Sequence, residues 1–374
     1  MKCDFVVIGA GIAGASAGYA LAKHGDVVVL EREDQPGYHS TGRSAAQYTA
    51  LYGNRVIRAL TRLGKPFFDL PPPGFAEHPI LIPRGALFVV RASQRATMDE
   101  LAKFADAEGV PVRQLTKDET LAMVPVLRPD AFAFGLHEPE STDIDVHGLH
   151  QGYLRGLRAR GGTVVTGAEV IAIARNADHW TVQSRAGEYS APVLVNAAGA
   201  WADTVAGLAG VRPVGLSPKR RSAMLFDPPE KLDCAQWPLT IDMNEQWYFK
   251  PDAGRLFGSP ADETPVAPCD VQPEELDLAI AIDRIETATS LKIGAIVHRW
   301  AGLRSFVADK SLVIGFAPDA EGFFWLAGQG GYGIQSAPAA SAAAAGLIVN
   351  GCLPDDFGAY DLSPADLSPA RLFD

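Results

Sequence analysis

Gly9, Gly11 and Gly14 in the stretch VIGAGIAGASAG are spaced G-x-G-x-x-G, the pattern of a loop that cradles a dinucleotide pyrophosphate. Gly14, Ser16 and Gly18 in the same stretch read G-x-S-x-G, the pattern that presents a nucleophilic serine. One chemistry holds a nucleotide and the other attacks a substrate, and a single loop cannot do both. Two arginines add a further possibility. Arg221 in PKRRSAMLF and Arg304 in WAGLRSFV lie in largely apolar stretches. A planar, permanently charged guanidinium suits a carboxylate, and burial without a partner is costly. Either arginine also fits an internal salt bridge or a solvated strand end, with Asp309 the acid nearest Arg304 in sequence. Tyr248 in EQWYFKPDAG carries a hydroxyl that can donate to the same carboxylate, or it is a core tyrosine.

The surrounding elements decide between nucleotide and nucleophile. DFVVIG is a β-branched run that predicts a buried strand, IAGASAGYALAKHG an Ala-rich helix closed by Gly25, and VVVLE a second strand. This is a βαβ unit. Glu31 ends the second strand 20 residues after Gly11, where an acid meets ribose hydroxyls. Gly11 lets the backbone approach the phosphates, and the helix opening at Ile12 and Ala13 aims free N–H groups and a positive dipole end at them. Ser16 falls inside that helix rather than on the turn, so it is expected to be a packing residue. Arg32 to Asp34 read as a solvated loop.

Elsewhere GRSAAQYTALYG and RVIRALTRLGKPFF are predicted helices, and PPPG marks a crossing between domains. ILIPRGALFVV reads as strands, and Thr116 with Glu119 forms a capping box before TLAMV. VHGLHQGYLRGLRARGG is a predicted helix, TVVTGAEVIAIAR a strand pair, and APVLVNAAGAWAD a buried strand entering a turn and helix. RRSAMLF and WYFKPDAGRLFG read as strands and EELDLAIAIDRIETA as a helix. In a strand, Arg221, Ala223 and Leu225 share one face while Arg220 takes the other; Tyr248 likewise opposes Trp247 and Phe249. The expected fold is α/β: a discontinuous Rossmann-like nucleotide domain (1–78, 145–215, 301–374) with an α+β substrate domain on a mostly antiparallel sheet (79–144, 216–300).

Composition narrows the function. The chain has 374 residues, 47% hydrophobic and 21% charged, with a net charge of −11, which argues against a nucleic-acid partner. Cys3, Cys234, Cys269 and Cys352 show no metal spacing and suggest a reducing compartment, hence the cytoplasm, with peripheral association at the inner membrane left open. Asp4 and the glycines argue against a signal peptide, and SAPAASAAAAGLIV is too short to span a bilayer. His147 and His150 are three apart, but no neighbouring acid or Cys completes a metal set.

Two later glycine-rich turns follow apolar strands, VNAAGAWAD and AGQGGYGIQ. They are simple tight turns or segments that approach a larger cofactor than NAD. The second reading points to a flavin dinucleotide, with GQGGYG opening a helix toward the electron-rich edge of the ring.

Together with HSTGRSAAQ, PKRRSA and WAGLRSFVAD, these motifs resemble the D-amino-acid oxidase family of FAD-dependent oxidoreductases, and within it the bacterial D-arginine and D-amino-acid dehydrogenases, along nearly the whole chain. The resemblance implies FAD held by Gly9, Gly11, Ile12, Ala13, Gly14, Glu31 and Arg32; by Arg43, Ser44, Ala45 and Ala46; by Val170 against the adenine; by Ala198, Gly199 and Trp201; and by Arg304, Gly330, Gly331, Tyr332, Gly333 and Ile334. It implies a substrate carboxylate on Arg221, Arg304 and Tyr248, covered by Tyr52, with the Gly331 carbonyl accepting from the amine. Gln47, Ala86 and Gln335 complete the implied substrate site.

The implied reaction is oxidation of a D-amino acid at Cα, giving an imino acid that water converts to a 2-oxo acid and ammonia. The electron acceptor is read as a quinone or other carrier. This chain departs from the D-arginine dehydrogenases at Gln47, where they have His, and at Ala86, where they have an acid facing the substrate's cationic end. Losing that bond, worth roughly 1.5–3 kcal/mol, predicts a weakened preference for D-Arg and D-Lys. The alternatives are a flavin oxidase of secondary amines such as glycine, sarcosine or proline, a serine hydrolase on Ser16, and a non-catalytic flavin-binding protein.

Overall fold

The computed structural model describes residues 1–230 and 232–373. The strand Phe5–Ile8 is buried throughout and lies between two parallel neighbours, Val27–Leu30 and Val193–Asn196. Thr163–Val165 extends this sheet beyond Val27–Leu30; Phe323–Ala327 and then the antiparallel Val313–Phe316 extend it on the other side. Parallel strands buried on both faces read as continuous apolar runs, and FVVI, VVVL and VLVN do so.

One face of the sheet carries the helices Ile12–Leu21, Arg55–Asp69 and Gly333–Val349. The small side chains of the last helix bring it close to its neighbours, with Pro338 against Gly64. The other face is covered by a three-stranded antiparallel sheet, Val170–Asn176, His179–Ser184 and Gly187–Ala191, which packs through Ile173, Trp180 and Val182.

The second large sheet has nine strands and is antiparallel except where Leu239–Asp242 runs parallel to Ala86–Val90. Ser217–Phe226 and Ile296–Phe306 form its longest pair. The latter strand runs unbroken through position 301. On one face Met224, Phe226, Trp247 and Phe249 pack against the helix Glu275–Ala288. Ala86, Ala223, Tyr248 and Phe257 share a separate apolar cluster. The Thr116–Glu119 capping box is formed at the head of Lys117–Met123. Among the described residues no helix is long and apolar enough to cross a membrane.

Two expectations are corrected. GRSAAQYTALYG is not a helix: apart from the two-residue strand Gln47–Tyr48 it is turn and loop, with Ala46 at φ 57°. Its polar groups bond to distant segments, Gln47–Tyr48 pairing with Thr142–Ile144, and these tertiary partners outweigh its helical propensity. TVVTGAEVIAIAR does hold two strands, but they do not pair. Thr163–Val165 joins the parallel sheet and Val170–Asn176 begins the antiparallel one, with Gly167 at φ 58° in the turn between.

Candidate functional site

The glycine loop is locked from three directions. Ala10 N donates to Glu31 Oε2 at 2.8 Å, the Ala10 carbonyl bonds His150 Nε2 at 2.8 Å, and Ile12 N donates to Thr41 Oγ1 at 3.0 Å. A Cβ on Gly14 would sit 1.8 Å from the Gly9 carbonyl oxygen, and one on Gly9 would sit 2.6 Å from the Ala197 oxygen. Only glycine allows helix and strand this close. Ser16 is buried in the helix and donates to the Ala13 carbonyl, so it cannot attack a substrate. His150 holds the loop, and His147 is exposed.

A cleft with about 1660 Å³ of empty space opens against this loop. It is lined by Gly9, Gly11, Ile12 and Ala13; by Glu31 and Arg32; by Arg43, Ser44 and Ala45; by Val170; by Ala198, Gly199 and Trp201; and by Gly330, Gly331, Gly333 and Ile334. Arg221, Tyr248 and Arg304 line it too. The three glycine-bearing turns therefore meet at one cavity. Gly14 does not face the cleft, serving helix–strand packing instead; Ala46 and Tyr332 are also outside the lining, and Tyr332 belongs to a neighbouring cavity with Tyr52. Residue-by-residue reasoning missed the approach of Gly37 to Thr41, Ala168 and Glu169. Of these only the glycine and the His-Ser-Thr run carried any signal. His39 bonds Glu33 at 2.9 Å and packs on Trp201, over which Arg32 also lies.

At the Arg304 side of the cleft the chemistry changes. Arg304 Nη1 donates to Tyr52 Oη at 2.9 Å, and among the described residues Arg304 has no carboxylate partner. Asp309 is occupied by Arg371. A Cβ on Gly331 would lie 2.7 Å from Arg304 Nη1, so the guanidinium rests on glycine backbone. Arg221 lines the same cleft but is partnered: Nε donates to the Asp262 carbonyl at 2.8 Å and Nη2 to Glu263 at 3.2 Å. The salt-bridge alternative is realised there, alongside the position in the cleft. Arg220 does face the other way, bound to Asp277 and Glu274.

Tyr248 stacks on Phe257 with ring centroids 5.7 Å apart, while Trp247 stacks on Phe249 on the opposite face. Burial pushes the Tyr52 phenol above its ordinary pKa, although the Arg304 charge opposes this, so it is a neutral hydroxyl.

Gln47 and Gln335 do not line the cleft. Gln335 accepts from Thr49 N and donates to Thr61 Oγ1, which uses its amide to pin the 47–50 segment. Gln47 donates to Ser141 Oγ at 2.7 Å, and its Oε1 is buried without a partner. Ala86 does not line the cleft either: it is buried in an apolar cluster with Ala223, Tyr248 and Phe257. Directly across the strand pair from Ala86 stands Glu138, 1% exposed. Burial pushes its carboxyl up to about 7, against the bonds from Thr49 and Ala50 that favour the charged form.

A carboxyl raised on folding contributes stability that is present below its unfolded pKa and lost as pH rises through about 7. Glu138→Gln should therefore gain melting temperature over wild type between pH 5 and pH 8. A constant difference across that range would show that Glu138 does not titrate there.

The residues fit a flavin dinucleotide. The cradle accepts backbone approach at Gly9 and Gly14 and has a carboxylate at the end of its second strand. Two further glycine turns line the same cavity, and a half-buried cation stands beside one of them.

Comparison with known proteins agrees. The family model for FAD dependent oxidoreductases of the DAO type matches residues 4–347. Human mitochondrial sarcosine dehydrogenase is 26% identical over 96% of this chain, which spans 41% of that protein. Glycine oxidase of Geobacillus kaustophilus is 24% identical over 98% of this chain and 97% of its own length. L-proline dehydrogenase of P. horikoshii superposes with a TM-score of 0.85 at 22% identity, covering 100% of this chain and 98% of that one. With the glycine cradle, the three-turn cleft and a family match over most of its length, the chain belongs to the DAO family of FAD-dependent oxidoreductases.

Proposed function

We propose that the chain oxidises the C–N bond of a small amino acid bearing a free or substituted amine, of the glycine, sarcosine or proline type. The observation that carries this is Arg304, a half-buried cation at the cleft wall whose hydrogen-bond partner is a neutral phenol. A charge placed so lacks a counter-ion, and a substrate carboxylate supplies one with bidentate geometry. Glycine oxidase and sarcosine dehydrogenase among the relatives favour small and secondary amines over D-amino acids as such.

In this reading Gly11 and the head of the helix Ile12–Leu21 receive the pyrophosphate, and Glu31 the ribose. Arg43, Ser44, Ala45 and the Gly330–Ile334 turn border the ring system. Arg304 grips the carboxylate, with the Tyr52 and Tyr248 hydroxyls donating and Arg221 reinforcing the positive potential. The Gly331 carbonyl accepts from the amine and so orients the Cα–H bond. FAD, when bound, supplies the two-electron acceptor for that bond. The protein contributes orientation and a pre-formed cationic field.

The apolar surroundings of Ala86 offer nothing to a guanidinium tail, and the adjacent Glu138 carboxylate is engaged by Thr49 and Ala50. Anaerobic flavin bleaching by glycine, sarcosine, L-proline, D-alanine, D-leucine, D-phenylalanine and D-arginine tests the reading. Glycine or a secondary amine should bleach fastest. Bleaching by D-amino acids alone would instead support the D-amino-acid dehydrogenase reading, and no bleaching by any member would overturn both. Hydrogen peroxide release separates oxygen from a quinone or other carrier as acceptor.

A further inference from the structure

Glu138 ends the strand Phe134–Glu138 and is buried with no cation bound to it among the described residues. A carboxylate in that position costs stability unless its oxygens are used. Both are used, and both by the same short segment. Oε2 accepts from Thr49 Oγ1 at 2.5 Å and Oε1 from Ala50 N at 2.9 Å. Thr49 Oγ1 in turn accepts from Leu51 N at 3.4 Å, and the Leu51 carbonyl accepts from Arg58 Nε at 3.0 Å. The next residue is Tyr52, whose hydroxyl accepts from Arg304.

This segment is irregular, so no helix or sheet ladder fixes the direction in which Tyr52 leaves it. We propose that Glu138 is a positioning residue: by holding Thr49 and Ala50 it sets the Tyr52 phenol against Arg304, where the substrate carboxylate binds. The proposal rests on the carboxylate-binding reading of Arg304. Two donors arrive from one segment, and the two carboxyl oxygens accept one each.

The test uses the FAD-loaded full chain as wild type, Glu138→Ala, Glu138→Gln, Thr49→Val, Tyr52→Phe and the Glu138→Ala/Tyr52→Phe double variant. Hydrogen exchange at Ala50 and Leu51 reports the anchor without any ligand. Titration with benzoate, a carboxylate with no oxidisable amine, followed by flavin absorbance, reports the Arg304 site. Glu138→Ala should speed exchange and weaken benzoate binding, each about tenfold, the effect of about 1.4 kcal/mol. Glu138→Gln should recover most of both, because its amide still accepts from Ala50. Thr49→Val should move both in the same direction by less, which keeps the test alive if Glu138→Ala does not fold.

In the Tyr52→Phe background, Glu138→Ala should cost little further affinity. Unchanged exchange in Glu138→Ala and Thr49→Val would overturn the anchor. Faster exchange with unchanged benzoate affinity, or full additivity with Tyr52→Phe, would overturn the link to Tyr52. Wild type that does not respond to benzoate would sink the carboxylate reading and the Tyr52 link with it, and the exchange rates alone would then decide whether Glu138 anchors the segment.

Discussion

Arg304→Met should lower kcat/KM for the best amine substrate about a thousandfold, while the purified protein remains yellow. Removing one partner of a desolvated charge pair costs about 3–5 kcal/mol, because the other charge is left without its counter-ion. Arg304 meets that condition: its partner in the free protein is the Tyr52 hydroxyl, and no carboxylate among the described residues competes for it. Arg304→Lys should recover part of the loss, since it keeps the charge but not the planar fork.

The melting temperature should move the other way. A half-buried guanidinium without an acid is a cost to the folded state, so Arg304→Met should melt no lower than wild type. Loss of activity with equal or greater stability is the signature of a binding charge. A variant with kcat/KM within fivefold of wild type would remove Arg304 from the site. A parallel fall in stability would make it structural.

Gly14→Ala is the second large effect, and it acts on the cofactor rather than the substrate. The added methyl would lie 1.8 Å from the Gly9 carbonyl oxygen and 3.3 Å from a Val7 methyl. The obstacle is backbone, so no rotamer relieves it. The helix Ile12–Leu21 must lift from the strand Phe5–Ile8, carrying the head of the helix away from the phosphates. The variant should purify colourless or lose FAD on dilution, with affinity down at least about a hundredfold for a displacement costing about 3 kcal/mol. Gly207→Ala is the control. It lies in the helix Ala202–Leu208 with nothing within 4 Å of an added Cβ, so it should keep its flavin and gain up to about 1 kcal/mol of stability. A yellow Gly14→Ala protein with wild-type affinity would show that the close helix–strand approach is not what holds the cofactor.

Several features were legible in the residues because they follow from periods of two and 3.6. The βαβ unit, Glu31 at its end and Ser16 buried in its helix come from local pattern. So do the opposed faces of Arg220 and Arg221 and of Trp247 and Tyr248. Other readings needed a partner that no local pattern names. The segment from Gly42 to Gly53 has helical composition, yet it is held open by Glu138, Ser141 and Gln335, which lie far away in sequence. Gln47 and Gln335 belong to that network rather than to the cleft, and although a salt bridge was one reading of Arg221, nothing local named Glu263 as its partner.

The primary structure thus determined the nucleotide cradle, whose geometry is built within one supersecondary unit of short contour. Tertiary structure alone decided the proposed substrate end. There Tyr52 meets Arg304 across 252 positions, and only the packing of two sheets and an irregular segment settles which side chain faces which.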